Sequence, residues 1–425
     1  MTAARPLAGT VVRSPVAWLM TLAIVLIALN LRGPIVATSP VLDEIKSDLA
    51  LGAFVAGLLT SIPVLCFALA SPLASGLIGR LGAERAVTIS LLGVVAGTLI
   101  RSAGGQGPLL AGTAVLGVSI TIGNVVLPVV IRRDFSPQRA GFITGVYTSA
   151  LNVGSMITSL GTAPLAQATG WPIALVVWGG FALVAGVVWC FAVGIRAAVR
   201  GTGAPRDPAL VTGPIEIITA SIPVLSEQES AGAAARDSRS LFRRWSTWGL
   251  TLAFAGQAFG YYGLTAWIPT LLHDEVGLDR SSAGASSSVF QILAVVGALG
   301  VPFLALRFRP VFIVALVSAF WIVMPLGLLF APHLWLVWSL FGGAAQGGGI
   351  TIVFIIIVRM VRSDLEARRL SALVQGGGYA LASLGPLVVG AVHYVSGGWT
   401  APMVVVFVSV LTLGVSGVLS ARRIR

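Results

Sequence analysis

Arg32 is the residue with the most chemistry to offer in this chain. It lies in VAWLMTLAIVLIALNLRGPIVATSPVLDE, residues 16–44, an apolar run with Asn30, Arg32, Gly33 and Pro34 set inside it. From Val16 to Leu42 the run is long enough to cross a hydrocarbon core ~30 Å thick at ~1.5 Å per helical residue. The guanidinium is therefore expected at membrane depth, towards the far end of the helix. There it costs at least ~2.5–3.5 kcal/mol, so it must face a polar cavity or a partner. Pro34 has no N–H, which leaves the carbonyl of Asn30 without its helical donor. Charge, freed carbonyl and flexible Gly33 thus coincide in one turn. Such a group can attract and orient an anion; a snorkelling or structurally paired arginine is the alternative.

The remaining polar groups inside apolar runs are Asn124, Tyr147, Asn152, Gln257, Tyr261, Tyr262, Trp267, Gln291, Gln346, Gln375 and Tyr379. Amides and phenols in hydrocarbon need partners and should face the bundle interior. For any one of them, bonding between helices explains the residue as well as substrate contact does. Their spread over many runs points to a shared central cavity. The substrate-binding candidates are Asn30, Arg32, Tyr147, Asn152, Gln257, Tyr261, Tyr262, Gln346, Gln375 and Tyr379.

All fifteen acids fall between apolar runs or at their ends, and His273, His333 and His393 sit near run ends. Arg32 has no acidic partner at its own depth, and an unpaired cation there is what an anionic or strongly dipolar ligand would neutralise. Cys66 and Cys190 lie in apolar runs and propose neither a disulfide framework nor a metal site. No catalytic constellation, H-E-x-x-H motif or G-x-x-x-x-G-K-[ST] loop occurs, so neither an intramembrane enzyme nor an ATP-driven pump is expected, and no cofactor.

The elements that must position these groups follow from composition. Of 425 residues 56% are hydrophobic and only 10% charged, against about 25% charged in a soluble globule. Mean hydropathy is +0.95. Repeated apolar segments near twenty residues, with no extended alternation, mark an all-α integral membrane protein. Twelve transmembrane helices are expected, near 16–42, 51–79, 84–103, 107–132, 138–165, 171–197, 246–273, 281–304, 308–331, 333–361, 366–394 and 398–420. The first is read as retained, not as a cleaved signal. All but four of the 27 basic residues fall in the amino terminus, the even-to-odd loops or the carboxyl terminus; the exceptions are Arg32, Lys46, Arg101 and Arg280. The positive-inside rule then puts both termini in the cytoplasm of a cell-membrane protein. The net charge of +12 belongs to these short loops, so nucleic acid is not an expected partner; the lipid bilayer and a small-molecule substrate are.

One long segment, 198–245, is rich in Gly, Ala, Ser and charge and divides an amino-terminal half (1–197) from a carboxy-terminal half (246–425). Within it Pro214 to Leu225 could lie on the membrane surface or be a linker. A shift of 227 residues lays Asn30 on Gln257, Ser61 on Ser288, Arg80 on Arg307, Arg132 on Arg359 and Asn152 on Tyr379. One offset kept through five runs argues for a duplication of six helices, the arrangement of the major facilitator fold with its two six-helix pseudo-repeats.

The loop SGLIGRLGAER (Ser75 to Arg85) resembles the glycine- and arginine-rich signature of major facilitators, with Gly79 where an acid normally precedes the first arginine. In RRDFSPQRAG (Arg132 to Gly141), Ser136 and Pro137 form an N-cap and first-turn pair. Asp134 and Arg139 there, with Asp364, Glu366, Arg368 and Arg369 in the other half, form rim clusters that could pair across the halves, each exposed pair worth ~0–1 kcal/mol. Gly347 to Gly349 is expected to permit close packing or to act as a hinge.

Four stretches carry a more specific resemblance: NLRGP at Asn30 to Pro34, LLTSIPVLCF at Leu58 to Phe67, TGVYTSALN at Thr144 to Asn152, and RLSALVQGGGYALASLGPLVVG at Arg369 to Gly390. Through them the chain resembles the cyanate–nitroimidazole family of major facilitators, in which proline often follows the arginine directly; here Gly33 intervenes. The resemblance implies a secondary active or facilitative transporter, and a monomer is the default expected from the fold. It would move a small anionic or planar polar solute, cyanate- or nitroimidazole-like, by rocking its halves. The alternative is a multidrug-type efflux pump for more hydrophobic compounds, which the aromatic candidates would suit and Arg32 would not.

Overall fold

A helix satisfies its own backbone polar groups, which lipid cannot do, and this chain takes that solution throughout. The computed structural model describes residues 14–201, 244–361 and 364–422, and no strand occurs among them. The first pass consists of α1 (Ser14–Asn30), α2 (Gly33–Val36), a 3-10 turn (Ser39–Val41) and α3 (Leu42–Asp48). The second is α4 (Ala53–Leu69) with α5 (Ser71–Leu81), followed by α6 (Ala83–Arg101), α7 (Gln106–Asp134), α8 (Pro137–Thr169), α9 (Trp171–Val193) and the short α10 (Ile195–Arg200). Then come α11 (Trp245–Val276), α12 (Arg280–Arg307), α13 (Pro310–Phe330), α14 (Trp335–Met360), α15 (Asp364–Ala382) with α16 (Leu384–Ser396), and α17 (Thr400–Ala421). Nine of these passes are long and apolar enough to cross a membrane, and the α4–α5 pair, bent by 57°, makes a tenth. Helices α8 and α11 have the length, at 33 and 32 residues. Both carry interior polar residues such as Asn152, Gln257, Tyr261 and Tyr262, which lower their hydropathy. The surface segment considered at Pro214 to Leu225 lies outside the described residues.

The membrane-spanning bundle has a near rim, where α1 starts at Ser14, and a far rim opposite. The first pass runs past the expected end at Leu42 to Asp48; Asp43, Glu44 and Lys46 lie on its last turns and hide the helix from a hydropathy reading. The break expected from Pro34 is present. Leu31 N closes a tight turn on Ala28 O at 3.0 Å, Arg32 leaves helical geometry at φ −138° and ψ −37°, and Ile35 N and Val36 N both donate to Arg32 O. Gly33 stands here because α8 comes close: a Cβ at Gly33 would meet Thr158 Cγ2 at 3.0 Å, and one at Gly154 would lie 2.3 Å from Leu29 O.

The two halves meet where α4 packs on α15 and α16, and where α8 packs on α12. At the far rim Pro40 seats against Gly284, and Thr270 Oγ1 donates to Asp43 Oδ2 at 3.2 Å. Two tryptophans anchor that rim alike. Trp171 Nε1 donates to Asp48 Oδ2 at 2.9 Å, and Trp399 Nε1 to Asp274 Oδ2 at 3.0 Å. At the near rim the acid missing at Gly79 has a substitute five residues on. Glu84, only 3% exposed, accepts from Arg133 Nη1 at 2.6 Å, and Arg133 also binds Asp134. Arg244 binds Glu366 at 2.5 Å. The first of these pairs lies within the amino-terminal half, and the second ties the end of the long segment to the carboxy-terminal half. The Gly347 region permits close packing: α14 continues through it, and a Cβ at Gly347 would fall 1.9 Å from Ala294 O.

Candidate functional site

Every residue from Gly33 to Leu42 is buried, whereas Arg32 keeps partial exposure. Its side chain reaches from the broken first pass to groups of both halves. Nη1 donates to Asn152 Oδ1 on α8 at 2.9 Å, and Asn152 is itself fixed by donating Nδ2 to Thr148 O at 3.0 Å. From the other half, α11 lays the Tyr261 ring under the guanidinium, with Cζ 4.7 Å from the ring centroid. A cation over a phenol face in a desolvated site is worth up to about 2 kcal/mol. The phenols of Tyr262 and Tyr379 lie close by as well, and none of the ion pairs found among the described residues involves Arg32.

The phenols are held by their neighbours. Tyr261 OH donates to Gln291 Oε1 at 3.1 Å, and Gln291 Nε2 reaches Thr265 Oγ1. Tyr262 stacks edge-on against Tyr261 at 4.8 Å between centroids. Tyr379 stands edge-on to Phe254 at 4.9 Å and to Phe67 at 5.4 Å. Edge-to-face pairs of this kind fix ring orientation as well as burying area. Tyr147 OH donates to Asn124 Oδ1 at 3.1 Å, and Tyr147 lies within electrostatic reach of Arg32 and Tyr379. Gln375, half-buried, stands one turn before Tyr379 on the same face of α15.

The structure thus gathers Asn152, Tyr147, Tyr261, Tyr262 and Tyr379 near Arg32, where the halves meet. It does not bring Asn30, Gln257 or Gln346 to the guanidinium. Asn30 donates to Leu26 O at 2.8 Å and lines a small cavity with Leu29, Pro34, Gly154, Thr158, Trp178 and others, between α1, α8 and α9. Gln257 is fully buried, donates to Gln346 O at 2.7 Å and accepts from Trp321 Nε1 at 2.6 Å, so it braces α11 to α13 and α14. Phe67 joins the aromatic wall, at 6.5 Å from Tyr262. As an apolar ring in an apolar run it gives no polar signal; only its place in the LLTSIPVLCF stretch marks it. Among the described residues no group of His, Cys, Asp and Glu could hold a metal ion.

A site between two helical halves, with a broken first helix, is the geometry of a carrier protein. The model of the Major Facilitator Superfamily matches residues 20–361. The chain belongs to the Major Facilitator Superfamily. Among its relatives, it is 31% identical to the Uncharacterized transporter YycB of Bacillus subtilis (strain 168) over 406 residues, 94% of this chain and 92% of that one. It is 30% identical to the 2-nitroimidazole transporter of Escherichia coli (strain K12), covering 94% of both, and 27% identical to the Cyanate transport protein CynX of the same organism, covering 89% and 91%. In fold it is similar to a bacterial homolog of the human lysosomal transporter Spinster in an inward-facing, unoccupied conformation. That likeness has a TM-score of 0.72 at 15% identity, covering 97% of this chain and 98% of that one. The chain is therefore a multi-pass membrane transporter of the major facilitator fold, similar to small-solute carriers.

Proposed function

We propose that this transporter moves a small anionic or planar polar solute, cyanate- or nitroimidazole-like, by alternating access, and that Arg32 binds the solute's negative end. One observation carries the reading: the buried guanidinium of Arg32, between the halves, has an amide and phenols around it and no ion-pair partner among the described residues. A bound anion would complete the charge balance that no carboxylate supplies, and the guanidinium's planar donors match a carboxylate, nitro or similar group. Tyr261, Tyr262 and Tyr379 would then offer ring faces and edges to a flat solute. Because the contacts to Arg32 come from both halves, a ligand there bears on how the halves sit together. The near rim is read as cytoplasmic from its arginines, in a monomeric cell-membrane protein. The aromatic wall also suits a more hydrophobic cargo, the efflux reading, but a lone buried cation would burden a pocket for neutral compounds.

The test is a ligand-dependent melting screen of the purified protein with cyanate, 2-nitroimidazole and small carboxylates. A ligand of the native state raises the melting temperature by mass action. At least one anionic or nitro compound should stabilise the wild type and not a folded Arg32→Ala variant. Equal stabilisation of both would remove Arg32 from the site.

A further inference from the structure

Arg101 is the second guanidinium inside this molecule, and the transport reading so far makes no use of it. It is the last residue of α6, at the far rim, and is 1% exposed. Its backbone is fixed by a close approach to α7, where a Cβ at Gly112 would lie 2.2 Å from Arg101 N. From there Nη1 donates to Pro34 O at 2.8 Å and to Thr38 Oγ1 at 3.2 Å, while Nε and Nη2 have no hydrogen-bond partner among the described residues. A charge buried in this way is costly, and the side-chain bonds it does make all go to the break in the first pass.

That break leaves Pro34 O out of the helical ladder, because Thr38 N turns to Ile35 O and Ala37 N to Gly33 O. Arg101 supplies the donor that the backbone does not. On one side of the held segment, Ile35 N and Val36 N bind Arg32 O. On its other side, Thr38 leads into Pro40, seated on Gly284, and Asp43, bonded to Thr270. We infer that Arg101 is a positioning residue: it ties the broken first helix to α6 and α7, and so fixes where Arg32 stands and how that site connects to the contact between the halves at the far rim. The inference rests on Arg32 as the anchor of the solute, although the hold on the helix is independent of it.

The experiment uses the full-length protein in nanodiscs, wild type and Arg101→Met, with Arg32→Ala as a separate arm. Two readouts are taken. One is affinity for whichever of cyanate or 2-nitroimidazole stabilises the wild type. The other is a spin-label distance distribution between exposed positions 47 and 103, introduced as Ser47→Cys and Ala103→Cys with Cys66 and Cys190 replaced by alanine. Methionine is unbranched and removes an uncompensated charge, so the melting temperature should stay within about 3 °C of wild type. Affinity should fall roughly tenfold or more, as displacement of a binding group by about 1 Å does, and the distance distribution should broaden. A merely structural role would instead lower the melting temperature and leave the affinity of the folded fraction unchanged. Wild-type affinity together with a wild-type distance distribution in Arg101→Met would overturn the inference. If Arg101→Met does not fold, Thr38→Val, which removes one acceptor and keeps the charge, is read on the same two measurements with the same criteria. Undiminished binding by Arg32→Ala would refute the proposed function instead, and the distance distribution would still decide whether Arg101 holds the helix.

Discussion

Replacing Asn152 by aspartate gives Arg32 the partner it lacks. The two side chains are nearly isosteric, and the oxygen that accepts from Arg32 Nη1 at 2.9 Å keeps its place. The change adds one negative charge beside the guanidinium. An anionic solute held by the same guanidinium would stand about 5 Å from that charge, where like charges repel by about 3 kcal/mol at an effective dielectric constant near 20. Affinity for the anion should therefore fall by roughly two decades. A neutral dipolar solute should lose about tenfold or less, since only a partial charge on it faces the new carboxylate. Fold stability should hardly move. The charged hydrogen bond to Arg32 gains about 1–2 kcal/mol over the neutral one, and loss of the amide's donation to Thr148 O costs a similar amount. Isothermal titration of the variant with an anionic and a neutral ligand, beside thermal melting, reads all three quantities. A folded Asn152→Asp variant that binds the anion within threefold of wild type would refute the idea that an uncompensated Arg32 charge drives binding.

Three further outcomes are expected. Tyr261→Leu removes the ring beneath Arg32 and should weaken binding by about 1–2 kcal/mol, roughly five- to thirtyfold, while the loss of its donation to buried Gln291 should cost about 1–3 kcal/mol of stability; a titration of the folded variant showing no loss would separate the ring from the site. Gln257→Leu leaves buried Trp321 Nε1 without its acceptor and removes the bond to Gln346 O, so it should cost about 1–3 kcal/mol of stability and leave ligand affinity of the folded protein unaltered. A fall in affinity without a fall in stability would return Gln257 to the binding site. Transport should not depend on a protonatable side chain at mid-membrane. Substrate counterflow in liposomes, at fixed substrate protonation, should keep its rate across pH, and proton uptake stoichiometric with substrate, abolished by Asp43→Asn, Glu44→Gln or Glu275→Gln, would show otherwise.

Much of the architecture is legible in the residues because lipid permits few alternatives. Apolar runs of about twenty residues must be helices, and Pro34 must interrupt the first of them. Arg32 stands out for the same reason: a charge at that depth requires a function or a partner. What the sequence does not show is which polar groups satisfy each other. Gln257 and Gln346 look like cavity residues by depth and type, yet one braces against the backbone of the other. Phe67 carries no polar mark at all. Arg101 sits at the end of a run and reads as a rim charge that orients the helix, because side-chain direction, not segment depth, takes its guanidinium inward to Pro34.

The bond between Thr270 and Asp43 joins two positions 227 residues apart, the same interval that lays one half of the chain on the other. Each of these residues is therefore the other's counterpart, and their contact straddles the axis relating the halves. In an isologous dimer of two identical six-helix chains, that place would hold a residue facing its own copy. Two aspartates there would repel, and two threonines could offer no charge. Joining the copies in one chain lets the position carry a donor on one side and a carboxylate on the other. The far-rim contact is thus an asymmetry that two identical chains could not carry.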